Sequence, residues 1–171
     1  MRLEYTRASA AYEVPRDGER RELRGLRCNA MLEIADIARA LIQGGRLRYL
    51  LPEWLDGFHR ADASERGAVI ARAPEPTGDP VDDAYLAAVV EHLATLAGIE
   101  VPLWTESPSR FLARPYYPSG VGELLKSVLR EESPLAFRRR NLFVSANAIE
   151  RPSTPASWRT RNTLIRKRGD E

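Results

Sequence analysis

The segment from Asp79 to Gly98 constrains the fold more than any other stretch of this chain. Asp79 followed by Pro80 is a helix start: the carboxylate can accept from an orphan amide of the first turn, and proline there has no amide to leave unpaired. From Val81 to Ala97, the residues Val81, Ala84, Tyr85, Ala88, Val89, His92, Leu93 and Leu96 recur at spacings of three and four. They keep to one face through about four turns. Asp82 and Asp83 suit the positive end of the helix dipole, and Gly98 closes the helix. A stripe this persistent predicts the central helix of a core. Leu93→Ala is expected to cost about 2–5 kcal/mol, the usual range for emptying a packed site. Glu91, on the opposite face, is expected to tolerate alanine.

The remaining segments also read as helices. Met31, Ile34, Ala35, Ala38, Leu41 and Ile42 predict a helix over 30–43, with Asn29 as its cap and Gly44-Gly45 as its end. Leu51, Trp54, Leu55 and Phe58 stand at i, i+3, i+4 and i+7, with Pro52 early enough to be tolerated. Asp62 with Glu65 forms a capping box for a helix that runs through Val69 and Ile70 to Arg72. After the Pro74–Gly78 loop and the central helix, Ile99 to Trp104 is extended and apolar, and Ser107-Pro108 opens a short helix. Ser119 caps a helix to Glu131 whose stripe is Val121, Leu124, Leu125, Val128 and Leu129. Ser133-Pro134 starts another short helix through Arg138 to Arg140, which stops at Asn141, a residue that tolerates the left-handed conformation. Leu142, Phe143 and Val144 then form an apolar plug, and Ser145 caps a last short helix that Pro152 ends.

No segment alternates with the period of a strand. The expected class is therefore all-α: one domain of six or seven helices, several of them short. Residues 1–28 read poorly and 29–150 form the helical domain. Residues 151–171 carry too little apolar material to fold alone and read as a basic disordered tail. Removing residues 153–171 is expected to leave stability almost unchanged.

The chemistry-bearing residues do not converge. Cys28, the one cysteine, has no partner for a disulfide or a zinc site, and His59 and His92 fall on different helices. His92 reads as a core histidine, and His59 as a positive group at the end of its helix. Asp79, Asp82 and Asp83 occupy a first helical turn, which by itself explains three carboxylates. Gly44-Gly45 has no P-loop lysine. No catalytic residue, cofactor or metal ligand is assigned, and the chain reads as a non-enzyme. Its apolar runs fall far short of the ~20 residues of a membrane helix, and Met1–Arg7 lacks the apolar block of a signal peptide. A cytoplasmic protein with no membrane partner is expected.

Charge is distributed unevenly around a net +2. Between Ala73 and Ser109 there is no lysine or arginine, while Glu75, Asp79, Asp82, Asp83, Glu91, Glu100 and Glu106 are acidic. Beyond Arg110 the balance reverses, through Arg138, Arg139 and Arg140 to Arg151, Arg159, Arg161, Arg166, Lys167 and Arg168. Such asymmetry suggests a polar partner or a nucleic acid. Three consecutive arginines on a helix point about 100° apart, so at least one is expected to be structural.

The run Glu132-Ser-Pro-Leu-Ala-Phe-Arg-Arg-Arg-Asn-Leu-Phe-Val-Ser-Ala-Asn-Ala148, with Ala73–Pro80, Pro102-Leu-Trp104 and Phe111–Pro118, resembles a bacterial family of small helical antitoxin-like proteins. Many of its members carry an N-terminal helix-turn-helix, and many are encoded beside a nucleotidyltransferase-like toxin. The likeness spans roughly residues 46 to 150, and no helix-turn-helix pattern occurs in residues 1–28. The resemblance implies a protein that binds and neutralises a nucleotidyltransferase-like toxin. The residues expected to meet the partner are Trp104, Tyr117, Arg138, Arg139, Arg140, Trp158, Arg159, Arg161, Arg166, Lys167 and Arg168. In this reading the basic tail, anchored by Trp158, reaches the partner's acidic cleft and blocks nucleotide entry. The alternative is a nucleic-acid-binding transcriptional regulator that sets the arginine run and the tail on phosphates.

Overall fold

The computed structural model describes residues 31–159. The expectations placed on Cys28, Asn29, Arg161, Arg166, Lys167 and Arg168 lie outside them. Six α-helices occur among the described residues: α1 Ile34–Ile42, α2 Leu47–Arg60, α3 Ala63–Ala71, α4 Pro80–Ala97, α5 Glu123–Glu132 and α6 Leu135–Arg138. Two 3-10 turns, Leu103–Glu106 and Pro108–Arg110, follow α4. The described residues contain no strand. Their one ladder-like contact is an isolated parallel bridge between Tyr116 and Leu142.

The core is built around α4, and more completely than one apolar stripe would require. Leu86, Ala87, Val90 and Ala94, off the predicted face, are as fully buried as Ala84, Ala88 and Val89. A helix apolar on every side belongs inside a core, and alanine and valine let neighbours approach it closely. The predicted caps hold. Asp79 Oδ1 accepts from the Val81 amide at 2.8 Å. Gly98 ends the helix with φ 68°, a conformation that a side chain would oppose.

Helices α1 to α3 pack on one another and on α4 through Ile34, Ile37, Trp54, Leu55, Phe58 and Ile70, all buried. The Trp54 indole donates to Leu32 O at 2.9 Å. Asp62 and Glu65 form the predicted capping box at the start of α3. Helix α1 starts four residues later than the apolar spacing predicted. Its cap is Glu33, whose amide donates to the Asp36 carboxylate at 3.0 Å.

The second half of the chain is irregular and is held by specific bonds. Ser133 does not cap α6. Its buried hydroxyl lies 2.6 Å from Leu129 O and 2.7 Å from Val144 O and accepts the Val144 amide at 2.8 Å, which ties the end of α5 to the Leu142–Val144 plug. Asn141 adopts the expected left-handed conformation, φ 58°, and its side-chain amide donates to Leu112 O at 2.7 Å. Residues 146–149 form a turn where a short helix was expected.

The tail does not begin at residue 151. Trp158 is buried, with its ring centroid 6.2 Å from that of Phe58 and 5.6 Å, edge-on, from that of His59. The Arg66 guanidinium lies 4.8 Å from its centre. Ser153 donates to Asp56 Oδ1 at 2.5 Å, which leaves its oxygen to accept from His59 Nδ1 at 3.1 Å. Arg151 reaches the other oxygen of Asp56 at 3.3 Å. One tryptophan and a serine–aspartate clasp therefore dock residues 151–159 on α2, although composition alone marked them as tail.

Candidate partner-binding surface

Asp83, Glu91 and Glu106 of the acidic stretch pair with Arg110, Arg139 and Arg140, which follow it in the chain. Asp83, in the first turn of α4, accepts from Arg110 Nη1 at 2.8 Å and from the Thr77 amide at 3.0 Å. Arg110 Nη2 donates to Pro74 O at 2.5 Å, so this buried guanidinium pins the Pro74–Gly78 loop against the helix. Two turns further along, Glu91 receives Arg139 Nη1 at 3.0 Å on one carboxylate oxygen and Arg140 Nη1 on the other. Arg140, 0% exposed, also donates to Ala136 O at 2.8 Å and Thr105 O at 2.7 Å, and its guanidinium lies 4.8 Å from the Phe111 ring centre. Arg139 bridges onward to Glu106. Each guanidinium has enough donors to meet a carboxylate and backbone carbonyls at once, which is why arginine serves at buried pairs of this kind.

This network corrects several expectations. Arg140 and Trp158 are buried against their own chain, which removes them from the surface that a partner meets. Glu91 is a structural anion, not a residue facing solvent. Asp83 belongs to a buried ion pair, whereas Asp79 is the cap. Trp104 is half-buried and donates to Ile70 O at 2.9 Å, with Arg110 over its ring. Arg138 is half-buried in the last turn of α6, and Arg159 is exposed, donating to Arg151 O at 3.0 Å. The signal that could have revealed the network was the charge block itself. Carboxylates on a helix apolar all round need cations, and the chain carries none between Ala73 and Ser109.

The two described histidines are not cationic groups. Burial pushes both His59 and His92 down to about 4, and the guanidiniums of Arg66, Arg151 and Arg159 add to the depression at His59 against the pull of Asp56. His59 therefore does not carry the charge expected of it at the end of α2. Among the described residues no group of histidines, cysteines and carboxylates gathers with metal-site geometry.

Among the described residues, Ile42, Leu103 and Tyr116 are exposed at separate places in the chain, and one face of α5 is left open. Leu129 is buried, but Leu124 is 84% exposed, Leu125 49% and Val128 37%, and Leu135 just beyond the helix is 52% exposed. Leu124, Val128 and Leu125 fall within an arc of about 100° on the helix. The polar side of α5 is turned to Tyr117. Arg130 Nε donates to the Tyr117 hydroxyl at 2.6 Å, and Lys126, paired with Glu123 at 2.6 Å, lies 5.5 Å from the ring centre. Tyr117 itself stacks on Phe143 at 5.0 Å between centroids. The stripe read from the sequence is real, but most of it faces outward.

Comparison with protein-family models, curated proteins and solved structures finds no match for this chain. Its fold and surface define a helical protein with an acid–arginine core and an apolar helix face at its surface. Among the described residues no helix is long and apolar enough to cross a membrane.

Proposed function

We propose that this chain is a non-enzymatic partner-binding protein of the antitoxin type, and that its partner is a nucleotidyltransferase-like toxin. The observation that carries the binding role is the exposed apolar face of α5 with Leu135. Contiguous exposed apolar side chains on one helix face mark interaction surfaces, whereas isolated ones would need no explanation. The identity of the partner rests on the resemblance of residues 46–150, and α5 lies within that span. Tyr117, from the expected set, meets α5 on its opposite, polar side, through Arg130 and Lys126.

A nucleic-acid-binding role loses part of its basis, because Arg139 and Arg140 are engaged by Glu91 and Glu106. The experiment is co-expression with the product of the neighbouring reading frame, followed by size exclusion at physiological salt. Co-elution, together with loss of the partner's toxicity, is the expected result. Separate elution, with a steeply salt-dependent affinity for duplex DNA, would overturn the proposal in favour of the regulator.

A further inference from the structure

The exposed face of α5 has a charge pattern that narrows what covers it. Both cations of the helix point to its Tyr117 side, Lys126 held by Glu123 and Arg130 by the tyrosine hydroxyl. In line with Leu124 and Leu125 but about two turns further along, at the C-terminal end of the face, stand Glu131 and Glu132, and no cation among the described residues pairs with either. On the helix Glu131 projects about 20° outside the Leu124 edge of the apolar arc, and Glu132 lies within the arc. The negative end of the helix dipole falls at the same place and adds to their field.

We infer that this face receives an amphipathic helix of another polypeptide, with apolar residues at three- and four-residue spacing and lysine or arginine placed to meet Glu131 and Glu132. This inference rests on the partner-binding reading and states which surface and which chemistry serve it. A second copy of this chain fits poorly. Antiparallel pairing of two α5 helices sets Glu131 and Glu132 against the apolar end of the other copy, and parallel pairing sets them against each other. Either arrangement leaves carboxylates without cations as water is excluded, a strong penalty against self-association. A basic helix turns the same two carboxylates into determinants of register and orientation.

The test uses the full chain and two synthetic helical peptides with the same leucine face, one flanked by lysines and the other by glutamates. Binding is read by fluorescence anisotropy at low and at physiological salt. The basic peptide is expected to bind at least about tenfold more tightly, a gap that narrows with salt. Leu124→Ser with Val128→Ser should abolish this binding, and Glu131→Lys with Glu132→Lys should reverse the preference. All four positions lie on the surface of α5, and an unchanged melting curve confirms that each variant folds. Equal binding of both peptides, binding that survives the serine substitutions, or a dimer that those substitutions break would each overturn the inference.

Co-purification with the neighbouring gene product separates this failure from that of the broader reading. If the serine variant retains that partner, partner binding stands and this face is wrong. If the unaltered chain does not bind it, the broader reading fails and the peptide result alone judges the face.

Discussion

Replacing Glu91 by alanine removes the carboxylate that accepts from both Arg139 and Arg140. Arg139 is partly exposed and keeps Glu106, but Arg140 is wholly buried, and the nearest remaining carboxylate oxygen, on half-exposed Glu106, lies 3.9 Å away. Its Nε already lacks an acceptor, so the guanidinium has little left to compensate its charge. Breaking a buried pair by deleting one partner costs about 3–5 kcal/mol, because the other charge stays out of water. That is a large share of the ~5–15 kcal/mol that holds a domain together. Glu91→Gln, which keeps an acceptor and loses the charge, should cost about 1–3 kcal/mol. Urea unfolding followed by circular dichroism reads both, and with an ordinary dependence on denaturant the alanine variant should shift the midpoint by about 2 M. Exposed Glu100→Ala is the control. The double variant Glu91→Leu with Arg140→Met should recover much of the loss, since an apolar pair of similar volume can replace a buried ion pair. A loss below about 0.5 kcal/mol for Glu91→Ala, the size expected of a surface change, would refute the buried network.

Further outcomes follow from the same packing. Stability should fall as pH drops from about 6.5 toward about 4, since both buried histidines resist the protons that the unfolded chain accepts; each contributes up to on the order of 3 kcal/mol, and a flat profile in urea melts over this window would refute their burial. Trp158→Ala should cost about 3 kcal/mol, and deletion of 153–171 should lower the melting temperature by many degrees; an unchanged melting curve would mean that the clasp on α2 does not form. Ser133→Ala should cost about 1–3 kcal/mol in chemical unfolding, because it strands the buried Val144 amide, and a neutral result would sink that role. Leu124→Ser should change stability by less than about 0.5 kcal/mol, and a larger loss would show that the exposed face of α5 is packed.

Local chemistry in the sequence determined several of the helix starts and stops. The Asp79-Pro80 cap, the Asp62–Glu65 box, the Gly98 stop and left-handed Asn141 all depend on neighbours within a few residues, so their outcome is written beside them. The centrality of α4 was legible for the same reason: a long apolar period has to be buried. The stripe on α5 was equally legible as a stripe, yet periodicity reports only that a face is apolar and not whether anything covers it.

Tertiary structure alone decided where the charges went. Asp83 and Arg110 are 27 residues apart, and Glu91 and Arg140 are 49 apart, so nothing local says that they meet. Read along the chain, the acidic block and the arginine run looked like surfaces that await a partner. In the fold Asp83 pairs with Arg110, and Glu91 with Arg139 and Arg140, because most of α4 is buried and these two carboxylates keep their charge best beside guanidiniums. Trp158 went the other way from its composition for a related reason. One large ring in a polar segment is enough to dock it when Phe58, His59 and Arg66 already form a seat and Asp56 fixes the approach. The sequence names the groups that must be satisfied, and only the packed chain shows which of them satisfy each other and leaves α5 with its apolar face outward.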